Sequence, residues 1–252
     1  MHAPKAILLD LNGTLHIENS PTRDAVAALA KLYEHFPIRF VTNTTKESSN
    51  TLYNRLVSIG FEIKQEEIFT SLVATKKLLK SRSSRPLLFL EPDALEEFAD
   101  LDCSNPNSVV IGLSPSSFNY DKLNQAYSII ESGGDFIAIH KARYYKTSKN
   151  MELGPGCFVV GLEYSTGKKS TVVGKPSRSF YQLVIDDLGV SFEDVVMIGD
   201  SVTDDCLGAI ELGMQAILVK TGKYKAGDEL QCPDTFDDFA SAVEHLVRLK
   251  PE

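Results

Sequence analysis

Four polar clusters, each placed directly after an apolar run, carry the residue types that chemistry needs. Asp10 ends Ala6-Ile7-Leu8-Leu9 and is followed by Asn12, Gly13 and Thr14. Thr42-Asn43 follows Ile38-Arg39-Phe40-Val41, and Gly174-Lys175-Pro176 follows Thr171-Val172-Val173. Gly199-Asp200-Ser201-Val202-Thr203-Asp204-Asp205 follows Val195-Val196-Met197-Ile198. A strand-end carboxylate such as Asp10 can attack a phosphorus centre or hold a cation. Asp200, with Asp204 or Asp205, completes a hard oxygen set suited to Mg²⁺. The Thr42 hydroxyl and neighbouring amides can hold phosphoryl oxygens, and the Lys175 ammonium can neutralise charge as a phosphorane-like state develops. Singly, each cluster is an ordinary turn or helix cap. Together, at the carboxyl ends of parallel strands, they lie on one sheet edge and converge on one phosphate site.

The elements that must position these groups are legible from hydrophobic periodicity. The apolar runs read as buried parallel strands. Helical spacing links them: Ala25, Ala28, Leu29 and Leu32 in one segment, and Leu52, Leu56 and Ile59 in another that Gly60 closes. From about residue 71 the alternation restarts, with a helix over 72–79, a polar connector over 80–86, strands at 87–90, 109–113 and 136–139, and a helix around 120–132. A helix over 158–164 leads back. The first sheet is expected to resume at 170–173 and to finish through a helix at 178–188, a strand at 195–198, a helix at 205–212 and a strand at 216–219. Alternating strands and helices predict an α/β fold on a mostly parallel sheet.

The bulk numbers restrict the function classes. The chain has 252 residues, long enough for one large domain or two moderate ones. Hydrophobic residues make up 43%, enough for a full core. The formal net charge is -8 and no basic arm is present, which argues against a nucleic-acid partner. Cys103, Cys157, Cys206 and Cys232 form no CxxC pair, so neither a zinc knuckle nor a redox dithiol is expected. No apolar stretch approaches the roughly 20 residues that span a bilayer. The first strand follows the N-terminus without room for a signal peptide. The expectation is a soluble cytoplasmic protein with no membrane partner.

The order and residue types of the four clusters resemble the haloacid dehalogenase superfamily of Mg²⁺-dependent phosphohydrolases. Asp10-Leu11-Asn12-Gly13-Thr14 resembles its first motif, Thr42 its second, Lys175 its third, and Gly199-Asp200 through Asp205 its fourth. The long insertion between Thr42 and Lys175 resembles the branch with a large α/β cap. The resemblance implies a Rossmann-like parallel-sheet core over 1–70 and 169–252, with an inserted α/β cap over 71–168. It implies that Asp10 is the nucleophile. Mg²⁺ is bound by Asp10, the backbone carbonyl of Asn12 and Asp200, with Asp205 as a ligand or supporting acid. Thr42, Asn43 and Lys175 hold a small phosphorylated substrate. Homodimers through the cap are also implied.

Two features refine that expectation. Most phosphatases of the superfamily carry an Asp two residues after the nucleophile, which protonates the leaving oxygen and later deprotonates the hydrolytic water. Asn12 can do neither, because a carboxamide does not titrate near neutral pH. Good leaving groups should therefore suffer least. The alternative is a weak or inactive phosphate-binding protein of the same fold. In the cap, His140, Lys141 and Arg143 lie in a basic, aromatic segment before Gly154-Pro155-Gly156. The matching loop of capped relatives faces the active site, so these three residues are candidates to meet an anionic part of the substrate.

Overall fold

The computed structural model describes residues 2–146 and 150–249. In chain order the strands are β1 (Ala6–Leu9), β2 (His16–Ile17), β3 (Ser20–Pro21), β4 (Ile38–Thr42), β5 (Ile68–Thr70), β6 (Pro86–Phe89) and β7 (Ser108–Ile111). They continue with β8 (Asp135–Ala138), β9 (Tyr144–Lys146), β10 (Met151–Leu153), β11 (Thr171–Val172), β12 (Val195–Gly199), β13 (Gln215–Val219) and β14 (Thr235–Phe236). The helices are α1 (Ala25–Tyr33), α2 (Ser49–Ile59), α3 (Ser71–Ser81), α4 (Pro92–Leu95), α5 (Tyr120–Glu131), α6 (Gly156–Thr166), α7 (Arg178–Leu188), α8 (Gly208–Glu211) and α9 (Phe239–Leu249).

The chain forms two compact units, one of residues 1–42, 53–69 and 175–252, the other of residues 43–52 and 70–174. The first holds a Rossmann-like parallel sheet of order β14-β13-β12-β1-β4-β5. Every residue of β1 and β12 is buried, as central strands covered on both faces require. Leu9 pairs with Ile198 and with Phe40, so β1, β12 and β4 run out at nearly one level. Asp10, Asp200 and Thr42 all lie within two residues of that level. Helix α1 buries Ala25, Ala28, Leu29 and Leu32, the expected i, i+3, i+4, i+7 face. It packs against α9, whose Phe239, Ala242, Val243 and Leu246 repeat the same spacing.

The second unit is the inserted α/β cap, built on a parallel sheet of order β11-β8-β7-β6. Val109 and Ile111 of β7 and Phe136 and Ala138 of β8 present one face of that sheet. Ala126 and Ile130 from α5 and Val159 and Leu162 from α6 complete the core on it. The antiparallel ribbon β9–β10 pairs Tyr144 with Leu153 and Lys146 with Met151.

Two sequence expectations change. The run at 170–173 does not resume the first sheet. Its two-residue strand β11 pairs with β8, Thr171 opposite Ile137 and Val172 opposite Ala138, as an edge of the cap sheet. The expected helix over 205–212 is a wide π turn over Val202–Leu207 that continues into α8. Its widening follows from Cys206 N–H bonding to the carbonyl of Ser201, five residues back, at 3.3 Å.

Candidate active site

Asp10, Lys175, Asp200 and Asp205 come together in the first unit. Lys175 Nζ donates to Asp10 Oδ1 at 2.7 Å and to Asp205 Oδ1 at 2.7 Å. All three side chains are less than a tenth exposed. Burial opposes the charge on Lys175, but the Asp10 and Asp205 carboxylates outweigh it and hold the ammonium protonated. Asp10 Oδ2 also accepts from the Thr14 hydroxyl at 3.2 Å.

The π turn explains Asp205. Its Oδ2 accepts the Ser201 amide at 3.1 Å, so the carboxylate folds back over the start of its own turn. Gly199 makes this possible: a Cβ there would sit 2.1 Å from Asp205 Oδ2. With Oδ1 on Lys175 and Oδ2 on Ser201, Asp205 acts first as the anchor of the lysine. Asp204 points elsewhere, with Oδ2 3.9 Å from Lys223 Nζ, while its backbone carbonyl accepts the Tyr181 hydroxyl at 3.0 Å.

Asp200 is held differently. Its Oδ2 accepts the backbone amide of Lys223 at 2.7 Å. Its Oδ1 is buried and has no hydrogen-bond partner among the described residues. Burial, then the charge of Asp10, pushes its carboxyl well above the usual range. Ligand oxygens of Asp10, Asp200 and Asp205 lie within 4.8 Å of one another. Buried carboxylates outnumber buried ammoniums here, and an unpartnered buried carboxylate oxygen is what a cation ligand requires. The donor set is all hard oxygen and fits Mg²⁺.

The loop Thr221-Gly222-Lys223, beyond β13, lies outside the four polar clusters and also braces the site. The Thr221 hydroxyl donates to the Gly13 carbonyl. Gly222 has φ 53, and a Cβ on it would lie 2.0 Å from Asp200 Oδ2 and 2.5 Å from Gly13 Cα. The available signal was position, since this is a fifth polar cluster at the end of a core strand.

The remaining candidates are more loosely placed. Thr42 ends β4, buried, and its hydroxyl has no hydrogen bond among the described residues. Asn12 is exposed, and its side chain makes no hydrogen bond to the described residues; its backbone bridges to His16. In the cap unit, Asn43 Oδ1 packs close to Gly174, where a Cβ would meet it at 2.3 Å. His140 is buried, with Nδ1 accepting the Ala142 amide at 3.3 Å. Lys141 is committed to the buried Glu163, Nζ to Oε2 at 2.9 Å. Arg143 is exposed.

The sequence and the fold match known proteins over nearly the whole chain. A family model described as haloacid dehalogenase-like hydrolase matches residues 7–104, and a second, described as HAD-hydrolase-like, matches residues 172–246. Haloacid dehalogenase-like hydrolase domain-containing protein 2 of Mus musculus is 48% identical over 251 residues, 98% of this chain and 97% of that relative. The chain belongs to the haloacid dehalogenase-like hydrolases. Within that family, phospholysine phosphohistidine inorganic pyrophosphate phosphatase of Mus musculus is 35% identical, covering 97% of this chain and 94% of that one. Among solved structures, p-nitrophenyl phosphatase from Archaeoglobus fulgidus superposes with a TM-score of 0.88 at 25% identity, covering 97% of this chain and 100% of that one. As a haloacid dehalogenase-like hydrolase, the chain combines the parallel-sheet core with an inserted α/β cap.

Proposed function

We propose that the chain hydrolyses small phosphorylated compounds through an aspartyl-phosphate on Asp10 and favours substrates with good leaving groups. The observation that carries the reading is the buried Asp10–Lys175–Asp205 chain beside the unpartnered Asp200 Oδ1. So many buried carboxylates are costly unless a cation completes them. In this reading residues 1–70 and 169–252 act as the catalytic core and 71–168 as the cap.

An oxygen of Asp10 forms a bond to phosphorus as the bond from phosphorus to the leaving oxygen breaks. The leaving oxygen keeps the electron pair and takes its proton from water. A water molecule then attacks the phosphorus of the aspartyl-phosphate. The phosphorus–oxygen bond to Asp10 breaks, regenerating the carboxylate and releasing inorganic phosphate. Lys175, fixed by Asp205, places positive charge beside the attacking carboxylate, and Thr42 offers its hydroxyl to a phosphoryl oxygen. Asp10, Asp200 and the Asn12 carbonyl would hold Mg²⁺, with Asp205 in support; the ion supplies charge that offsets the carboxylates as an anionic substrate approaches. His140, Lys141 and Arg143 belong to the cap side of the proposal; Arg143 is exposed, whereas Lys141 reaches a substrate only by leaving Glu163.

Asn12 sets the substrate preference. Its carboxamide transfers no proton, so the leaving group must depart unaided. The substrates in the names of two similar proteins agree in part: pyrophosphate and p-nitrophenyl phosphate release stabilised oxyanions, and the P–N bonds of phospholysine and phosphohistidine break with a neutral amine leaving once solvent has protonated the nitrogen. The same residue favours the second reading, a slow or inactive phosphate-binding protein. Incubation with Mg²⁺ and pyrophosphate, p-nitrophenyl phosphate and a sugar phosphate separates them. Phosphate release abolished by Asp10→Ala supports hydrolysis; release no greater than that variant on all three substrates sinks it.

The proposal extends to a cytoplasmic location and a homodimer through the cap. No helix among the described residues is long and apolar enough to cross a membrane, and the four cysteines are free thiols. Tyr164, Leu153 and Met151 of the cap unit are exposed and are the apolar side chains such a contact would use. Light scattering of the chain and of Leu153→Asp tests the dimer: a monomer in both rejects it.

A further inference from the structure

A groove of about 950 Å³ runs along the outer side of α1 in the core unit, a size that suits a small organic ligand. None of its lining residues belongs to the phosphate site. Its walls are largely apolar, with Val26, Leu29 and Ala30 from α1 facing Ile63. Tyr33 and Glu67 also line it and are joined by a hydrogen bond from the tyrosine hydroxyl to Glu67 Oε2 at 2.6 Å. The Lys64 amide donates to the same oxygen at 3.1 Å. Glu67 lines the groove, and its Oε1 accepts no hydrogen bond from the described residues and is left open to solvent there, although the residue as a whole is only 8% exposed. Burial and then Glu67 raise the Tyr33 hydroxyl, so Tyr33 is a donor in this pair and offers a ligand no negative charge of its own. Glu62 adds a second carboxylate to the lining against the ammonium of Lys64, while Asp24 is offset by its ion pair with Arg23 at 3.4 Å and Arg39 acts on Tyr33 from outside the lining.

We propose that this groove binds a small organic ammonium compound with an apolar body. The ammonium would donate to the open Oε1 of Glu67, and the body would lie on Val26, Leu29, Ala30 and Ile63. A cation is selected because the polar part of the lining offers the open Oε1 acceptor and the carboxylates of Glu67 and Glu62 against one ammonium, Lys64. A carboxylate or phosphate ligand would meet Glu67 and Glu62 with like charge. The apolar body is selected because the α1 wall offers no polar side chain between Val26 and Ala30.

The test is a ligand-observed NMR titration of the full chain with three matched probes: phenethylammonium, 2-phenylethanol and 3-phenylpropionate. Phenethylammonium should bind saturably, with a dissociation constant of about 1 mM for a ligand of this size. The alcohol should bind roughly tenfold more weakly and the carboxylate weakest of all. Glu67→Gln should lower phenethylammonium affinity roughly tenfold. Ala30→Lys places a tethered ammonium in the groove at an exposed helix position, should block the probe, and decides the matter even where Glu67→Gln does not fold. The proposal is overturned by an absence of saturable binding, by the carboxylate binding as well as the ammonium, or by Ala30→Lys leaving affinity unchanged. Hydrolytic activity plays no part in these readouts, so failure of the phosphatase reading leaves this one standing, and the reverse.

Discussion

The backbone amide of Lys223 donates to Asp200 Oδ2 at 2.7 Å, and this one bond decides which oxygen of Asp200 remains open. Oδ2 is used by the protein and Oδ1 is left for a cation. The donor is a main-chain group, so its position depends on the loop and not on the lysine side chain. Gly222→Ala forces a Cβ to within 2.0 Å of Asp200 Oδ2 at a backbone φ of 53. Its Mg²⁺ affinity, measured by calorimetry, should fall about tenfold or more, with the circular dichroism spectrum retained. Lys223→Ala keeps the amide and should bind Mg²⁺ within about threefold of the parent. Equal affinity in the parent and Gly222→Ala would contradict the role of the loop.

Removing the lysine between two buried acids should cost both stability and turnover. Lys175→Met leaves Asp10 and Asp205 buried without their shared partner, a loss of about 3–5 kcal/mol by urea denaturation. Phosphate release should drop about 100-fold or more. Adding Asp205→Asn to Lys175→Met relieves one stranded charge, so it should recover part of the stability and none of the turnover. A double variant no more stable than the single one would show that Asp205 is satisfied without the lysine.

Asn12→Asp restores a group that can give and take a proton. Turnover of an alkyl phosphate should rise by up to about 10²–10⁴-fold, and that of p-nitrophenyl phosphate much less. Measuring kcat on both substrates gives the ratio directly. Equal gains on the two would contradict the leaving-group argument.

The cap carries its own pH dependence. Glu163 accepts Lys141 Nζ at 2.9 Å and, through Oε1, the Ser170 amide at 2.9 Å and hydroxyl at 2.8 Å. Burial pushes its carboxyl up, but these hydrogen bonds outweigh burial and lower it from 4.5 to about 2. A carboxyl lowered on folding stabilises the protein fully above its unfolded value and loses that contribution as pH falls to the folded one. Glu163→Gln should therefore be less stable than the parent by about 2–3 kcal/mol at neutral pH. The difference should shrink between pH 4.5 and about 2, the two values between which Glu163 titrates. A difference independent of pH, in denaturant titrations at several pH values, would mean that the charge of Glu163 is not what holds this corner.

Most of the site was readable because its chemistry lies at strand ends. Buried parallel strands appear as unbroken apolar runs, so Asp10, Thr42 and Asp200 stand out where those runs stop. Strand β11 shows the limit of that signal. Thr171-Val172-Val173 looks equally apolar in either sheet, and periodicity carries no information about the neighbour a strand will choose. Lys141 shows another limit: its partner Glu163 is 22 residues away on a helix, so a lysine committed to an ion pair resembled one available to a substrate. Thr221-Gly222-Lys223 was silent for a third reason. Its contributions are a hydroxyl on a carbonyl, a main-chain amide and a missing Cβ, so the only signals are the glycine and its place after a core strand, and neither names a catalytic role.

The close approach of Gly13 and Gly222 has an evolutionary consequence. Each occupies space that a side chain would take from Asp200, so the metal site is specified partly by two residues that never touch the metal. In a descendant released from the need to bind a cation, loss of the Asp200 carboxylate would remove the nearest obstacle to side chains at both positions. Side chains at the two glycines would then be a written record of a hydrolase that has given up its metal.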